Sequence, residues 1–180
     1  MAVFDKNFKE VLTSQLVSIG GGTIAGTILA AYTNKLLLIP GMLILLPGFL
    51  EMRGNISGSF SARLTSGLFL KIVKPQFKKT KIISGNLLSS SILAVVVSFI
   101  LGLTAFLFNY FVTGIITPKI IAIPLIAGIL ANAVEIPLTL FMTFYLFKKG
   151  HDPDNVMGPF VTSTGDITSI AALLITLVII

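Results

Sequence analysis

The stretch GPFVTSTGDITSIAALLITLVII, Gly158 to Ile180, decides how the chain is read. It is a long apolar run with a single aspartate, Asp166, inside it. An ionised carboxylate near the centre of a bilayer costs roughly 2.5–3.5 kcal/mol on insertion scales, so such groups persist where they pair or line an ion path. On one helix over residues 157–180, the 3.6-residue period puts Thr162, Asp166, Ser169 and Thr176 on one side, with Gly165 beside the carboxylate. That stripe is either a water-lined surface with a fixed negative charge or a face that bonds to a neighbouring helix. Pro159 is expected in the first turn of this helix, where its missing N–H is harmless.

The rest of the composition fits a membrane setting. Of the 180 residues, 54% are hydrophobic and only 11% charged, with mean hydropathy +0.99. A soluble domain usually carries about 25% charged residues. The apolar runs are much longer than the roughly ten-residue alternating segments of an outer-membrane barrel, which leaves helices as the spanning structure. The fold class is therefore an all-α integral membrane protein. The absence of cysteine excludes disulfides and thiolate metal sites. The single histidine, His151, sits among Lys148, Lys149, Asp152 and Asp154 and reads as a solvated loop residue. The net charge of +6 comes from lysines between apolar runs, which are topology signals and not a nucleic-acid surface. Residues 1–14 read as a short cytoplasmic segment without a signal-peptide cleavage pattern.

Five spans are expected. The first runs from about Leu16 to Tyr32, and its Ser18, Gly22, Gly26 and Ala30 form a small-residue ridge suited to close helix packing, within or between subunits. The second, between Leu36 and Lys71, would be roughly 50 Å long as a straight helix, against a hydrocarbon core of about 30 Å. Pro40, Gly41, Pro47, Gly48, Gly54 and Gly58 are expected to break it, and broken backbone around Asn55 is a candidate lining for an ion path. Glu51 and Arg53 are expected to pair with each other or to snorkel. A single crossing here places Lys6, Lys9, Lys71, Lys74, Lys78, Lys79, Lys81, Lys148 and Lys149 on one side and Lys35 and Lys119 on the other. The positive-inside tendency then sets the N-terminus in the cytoplasm and the C-terminus outside.

The third span, about Ile82 to Val112, opens with Ser84, Asn86, Ser89, Ser90 and Ser91, expected to bond to other helices. The fourth, about Ile120 to Phe147, holds Asn132 and Glu135 close to mid-membrane, and Pro137 releases the carbonyl of Ala133. Glu135 and Asp166 are expected at comparable depth on antiparallel helices. Together with Asn55, Asn132 and Thr162 they make a set of oxygen donors suited to a hard cation such as magnesium, calcium or manganese. An alternative stays open for Glu135: a protonated carboxyl bonded to a backbone oxygen.

Two motifs add a resemblance. PGFLEMRGNISGSFSARL, Pro47–Leu64, resembles the proline-then-Gly-Asn motif of the second membrane helix in the MgtE magnesium transport family and its animal solute-carrier relatives. DPDNVMGPFVTSTGDITS, Asp152–Ser169, resembles that family's final-helix motif, and the order and separation of the two also match. The resemblance implies a divalent-cation channel or transporter whose membrane domain is a homodimer, with the pore between subunits. Carried over, the ion-site aspartate is Asp166, the Gly-Asn pair is Gly54 and Asn55, and the helix-start pair is Gly158 and Pro159. The cation is the transported ligand and no cofactor is implied. Residues 1–180 read as one membrane domain, and no counterpart of the cytosolic regulatory domains of bacterial members is expected in them. Glu135 lies outside the family motif.

Enzymatic readings find no support in the residues. An intramembrane aspartyl protease needs two aspartates and a Gly-x-Gly-Asp motif, and a rhomboid-type protease needs an intramembrane histidine. The remaining rivals are an exchanger coupled to sodium or protons, and a non-transporting subunit in which Asp166 and Glu135 only join helices.

Overall fold

The computed structural model describes residues 5–180, so the first four residues of the expected N-terminal segment lie outside it. Five helices follow one another: α1 (Lys6–Leu36), α2 (Met42–Phe69), α3 (Lys81–Thr113), α4 (Lys119–Lys148) and α5 (Pro153–Ile179). There is no strand among the described residues. Successive helices alternate in direction. Lys6 Nζ donates to Gly150 O at 2.6 Å, and Phe69 meets Phe147 edge-on, which gathers one set of ends. Lys119 Nζ donates to the Ile180 carbonyl at 3.1 Å at the opposite end. Lys35 and Lys119 line a cavity at that second end, away from the other lysines.

Four helices, α1, α3, α4 and α5, are long and apolar enough to cross a membrane. α2 is not, because it carries Glu51, Arg53, Arg63 and a run of serine, threonine and asparagine residues. Its neighbours explain how it can hold them. α2 packs against α3, α4 and α5, with Phe49, Phe60 and Leu64 fully enclosed. Arg63 donates to Asn86 Oδ1 at 3.0 Å and Ser90 Oγ at 2.9 Å, which employs the polar opening of α3.

The expected break within the second span takes another form. The interruption lies before α2, at Gly41, whose φ of 85° favours glycine and whose added Cβ would fall 2.6 Å from Ile120 and 2.8 Å from Asn109. From Met42 to Phe69 the helix is continuous through Pro47, Gly48, Gly54 and Gly58. Pro47 forfeits only the bond to the Leu43 carbonyl, in the second turn. The glycines serve packing: a Cβ at Gly48 would meet Leu101 at 2.8 Å, and one at Gly54 would meet Thr162 Oγ1 at 3.6 Å.

Both outer helices start earlier than the spans expected within them. α1 begins ten residues before Leu16, where the Asp5 side chain accepts from Phe8 N at 2.9 Å as its cap. α5 begins at Pro153 behind an Asp152 cap, so Pro159 lies in its second turn and not its first. The carbonyl that Pro159 leaves without a helical donor is that of Asn155, and the Ser14 hydroxyl of α1 reaches it at 3.1 Å.

α1 packs mainly on α5, with Leu29 and Leu36 near its end joining the core of the other helices. Its contact row is Ser14, Gly21 and Ala25; a Cβ on Gly21 would fall 2.6 Å from Ser163 Cβ. The expected ridge lies one row away, and added Cβ atoms on Gly22 and Gly26 would meet nothing within 4 Å.

Candidate functional site

α2 and α5 cross with glycines at the contact, since Gly165 approaches the Gly54 backbone closely enough that an added Cβ would sit 4.0 Å from Gly54 N. This close approach divides the polar residues of the two helices into an outer group and an inner group.

The outer group lines an open cleft of about 470 Å³. α2 contributes Pro47, Glu51, Gly54, Asn55 and Gly58, and α5 contributes Gly158, Thr162 and Asp166. Asn55 Nδ2 donates to Glu51 Oε1 at 3.2 Å, and the other Glu51 oxygen and the Asn55 side-chain oxygen accept no hydrogen bond among the described residues. Thr162 Oγ1 donates to Gly158 O at 3.0 Å and keeps its lone pairs. Asp166 is half-buried, whereas Glu51 and Asn55 are exposed. Glu51 lies near enough for its carboxylate to act electrostatically on that of Asp166. Among the described residues, no lysine, arginine or histidine lines the cleft.

The inner group is closed to solvent. Arg53 is fully buried and donates to Gly128 O at 3.2 Å and Asn132 Oδ1 at 2.7 Å. It therefore neither pairs with Glu51 nor snorkels. Two residues along a helix amount to a turn of about 200°, so Glu51 and Arg53 must face opposite sides. Glu135 is also fully buried; Thr164 donates to its Oε1 at 2.9 Å and Thr168 to its Oε2 at 3.3 Å. Arg53 and Glu135 interact electrostatically across this interior. Gly165 leaves room for both, because its added Cβ would be 3.6 Å from Arg53 Cβ and 4.0 Å from Glu135 Oε1. Ser169 is buried as well.

The structure thus brings together Asp166, Asn55, Thr162, Gly54 and Gly158 and puts Glu135, Asn132, Gly165 and Ser169 elsewhere. Glu135 does share the level of Asp166, but Thr164 and Thr168 face it while Asp166, two residues from each, points to the other side of α5. Pro159 lies outside the cleft lining. The residue that sequence reasoning missed is Glu51. Its signal was its spacing of four from Asn55, which places both on one helix face. No group of three or more His, Cys, Asp or Glu residues able to hold a metal occurs among the described residues. The cleft supplies fewer acids than that, all with hard oxygen donors.

Comparison with known proteins places the chain in a family. The MgtE family model, described as a divalent cation transporter, matches residues 46–176, from the start of the α2 cleft to the last turns of α5. Solute carrier family 41 member 2 from Homo sapiens and from Macaca fascicularis are each 25% identical over 138 residues, covering 72% of this chain and 23% of theirs. The Xenopus laevis protein of the same name is also 25% identical over 138 residues and is covered to 24%. The chain thus spans about a quarter of the length of the curated relatives it matches. No solved structure matches it. With both of its motifs and most of its length inside the matched region, the chain belongs to the MgtE family of divalent cation transporters.

Proposed function

We propose that this protein carries a divalent cation, magnesium before others, across the cytoplasmic membrane along the α2–α5 cleft. The single observation that supports this reading is the donor set of the cleft. Two carboxylates, an amide and a hydroxyl converge there with no cation to neutralise them. Magnesium gives up its waters reluctantly and is commonly held by one or two carboxylates with several waters retained, which suits a wide site with few acids. Asp166 offsets the cost of partial dehydration, Glu51 and Asn55 hold the remaining shell, and Thr162 receives the ion from the side of Gly158.

The cleft lies on the surface of one protomer, and a homodimer closes it into a pore by facing two copies across a two-fold axis. α2, too polar to cross a membrane unaided, is the fifth crossing because α3, α4 and α5 shield its inner charges. The lysine-rich ends face the cytoplasm and the C-terminus of α5 faces outward. Residues 1–180 act as one membrane unit.

The test is ion flux in liposomes containing only this protein, with a magnesium-sensitive dye inside and with or without opposing sodium and proton gradients. Magnesium entry driven by its own gradient is expected. Entry that requires a sodium or proton gradient would make the protein an exchanger, and no flux under any gradient would leave the assembly-subunit reading in its place.

A further inference from the structure

A second cavity, of about 590 Å³, lies at the lysine-rich end between the start of α1 and the α4–α5 corner. α1 leans mainly on α5 and has no extensive contact with α4, which leaves a wedge between α1 and the last turns of α4. Its two ends differ in chemistry. Lys6, Lys9, Glu10 and His151 form the mouth, and Val17, Leu146, Val156 and Phe160 form the deeper wall. At a rise of 1.5 Å per residue, Val17 lies about 12 Å along α1 from Lys9, which is the step from headgroup level into the acyl region.

The charges at the mouth are unequally engaged. Glu10 is occupied: His151 Nδ1 lies 2.8 Å from its Oε1, Asn155 donates to its Oε2 at 3.1 Å, and Lys6 Nζ is 3.7 Å away. Lys9 has no ion-pair partner among the described residues. The mouth therefore keeps a net positive charge directed at whatever fills the wedge. A soluble anion would satisfy the mouth and leave the apolar wall bare, and an uncharged lipid would do the reverse.

We propose that this cavity is a binding site for an anionic phospholipid. Its phosphate sits on Lys6 and Lys9, and one acyl chain lies along Val17, Leu146 and Phe160. Basic pockets between membrane helices on the cytoplasmic side recognise anionic headgroups by the same combination. The site is separate from the α2–α5 cleft; it rests on the membrane reading and not on the ion path, and its test does not involve flux.

The chain contains no tryptophan, so one introduced tryptophan is a sole reporter. Leu16→Trp places it on the exposed side of α1 next to the cavity, and Phe111→Trp places it at the far end of α3. Each variant is reconstituted in phosphatidylcholine containing a small fraction of phospholipid with brominated chains, either phosphatidylglycerol or phosphatidylcholine. Near Leu16→Trp, brominated phosphatidylglycerol should be enriched about fivefold over its bulk fraction, the scale set by one net lysine charge. The excess should be absent at Phe111→Trp and lost in a Lys6→Gln/Lys9→Gln background. Quenching by brominated phosphatidylcholine should persist in that background, which shows that α1 is still in the bilayer. Equal quenching by the two lipids, an excess that survives the lysine substitutions, or an equal excess at Phe111→Trp would each overturn the proposal. So would displacement of the excess by soluble glycerol phosphate, because the ligand would then be the headgroup alone.

Discussion

Glu51 and Arg53 are two residues apart on α2, yet one belongs to an open cleft and the other to a sealed interior. Across from them on α5, Asp166 faces the cleft while Thr164 and Thr168 face the interior. In the interior the charges are balanced: Arg53 is engaged by Asn132 and Gly128, and Glu135 by two threonines. In the cleft there are only acids and neutral oxygens. Both regions tolerate charge at membrane depth, by opposite means. The interior ties α2, α4 and α5 together by hydrogen bonds to Arg53 and Glu135, although Arg53 Nε, Asn132 Nδ2 and Ser169 Oγ have no partner there, whereas the acids of the cleft have no basic residue beside them.

The largest effect that sharpens this contrast is on stability. Arg53→Ala removes the only guanidinium from the interior and strips the Gly128 carbonyl and Asn132 Oδ1 of their donor, a loss of about 1.5–3 kcal/mol on the scale of hydrogen bonds to charged groups. Thermal unfolding in detergent should show a marked drop, with the double variant Arg53→Met/Glu135→Leu less impaired than the two single changes would sum to. If Arg53→Ala unfolds like the unmodified protein, the interior does not hold the helices together.

Accessibility separates the regions next. The chain has no cysteine, so single substitutions report without background. Asn55→Cys should react readily with a water-soluble thiol reagent, and Asn132→Cys, buried against Arg53, should stay unmodified. Equal reaction at the two positions would erase the distinction between open and sealed.

A smaller effect is expected at Glu51. Glu51→Gln keeps the bond to Asn55 feasible and removes one of the two cleft charges, so the apparent affinity for magnesium in a flux assay should weaken several-fold while the unfolding temperature holds. Unchanged affinity would leave Asp166 as the only charge that the ion meets.

Much of this arrangement was legible in the residues. Long apolar stretches interrupted by polar, glycine and proline residues specify five helices, and the two motifs fall on α2 and α5. The helix ends were less so, because Asp5 and Asp152 start helices in segments polar enough to read as loops. The glycines of α2 misled for a physical reason: a helical glycine that breaks a helix and one that admits a neighbour look identical until the neighbour is known. Gly54 turned out to admit Thr162. The opposed facing of Glu51 and Arg53 follows from their spacing alone. The distribution of the acids did not, since assigning Glu135 to the interior required knowing that Thr164 and Thr168, and not Asp166, face α4.

The most direct measurement is magnesium flux in liposomes through Asp166→Asn, a change that nearly preserves shape and removes the charge. Because Asp166 belongs to the cleft and not to the Arg53–Glu135 interior, the variant should unfold at the temperature of the unmodified protein and reconstitute normally, while divalent flux falls to that of empty liposomes. Wild-type flux through Asp166→Asn would contradict the assignment of the cleft as the ion path.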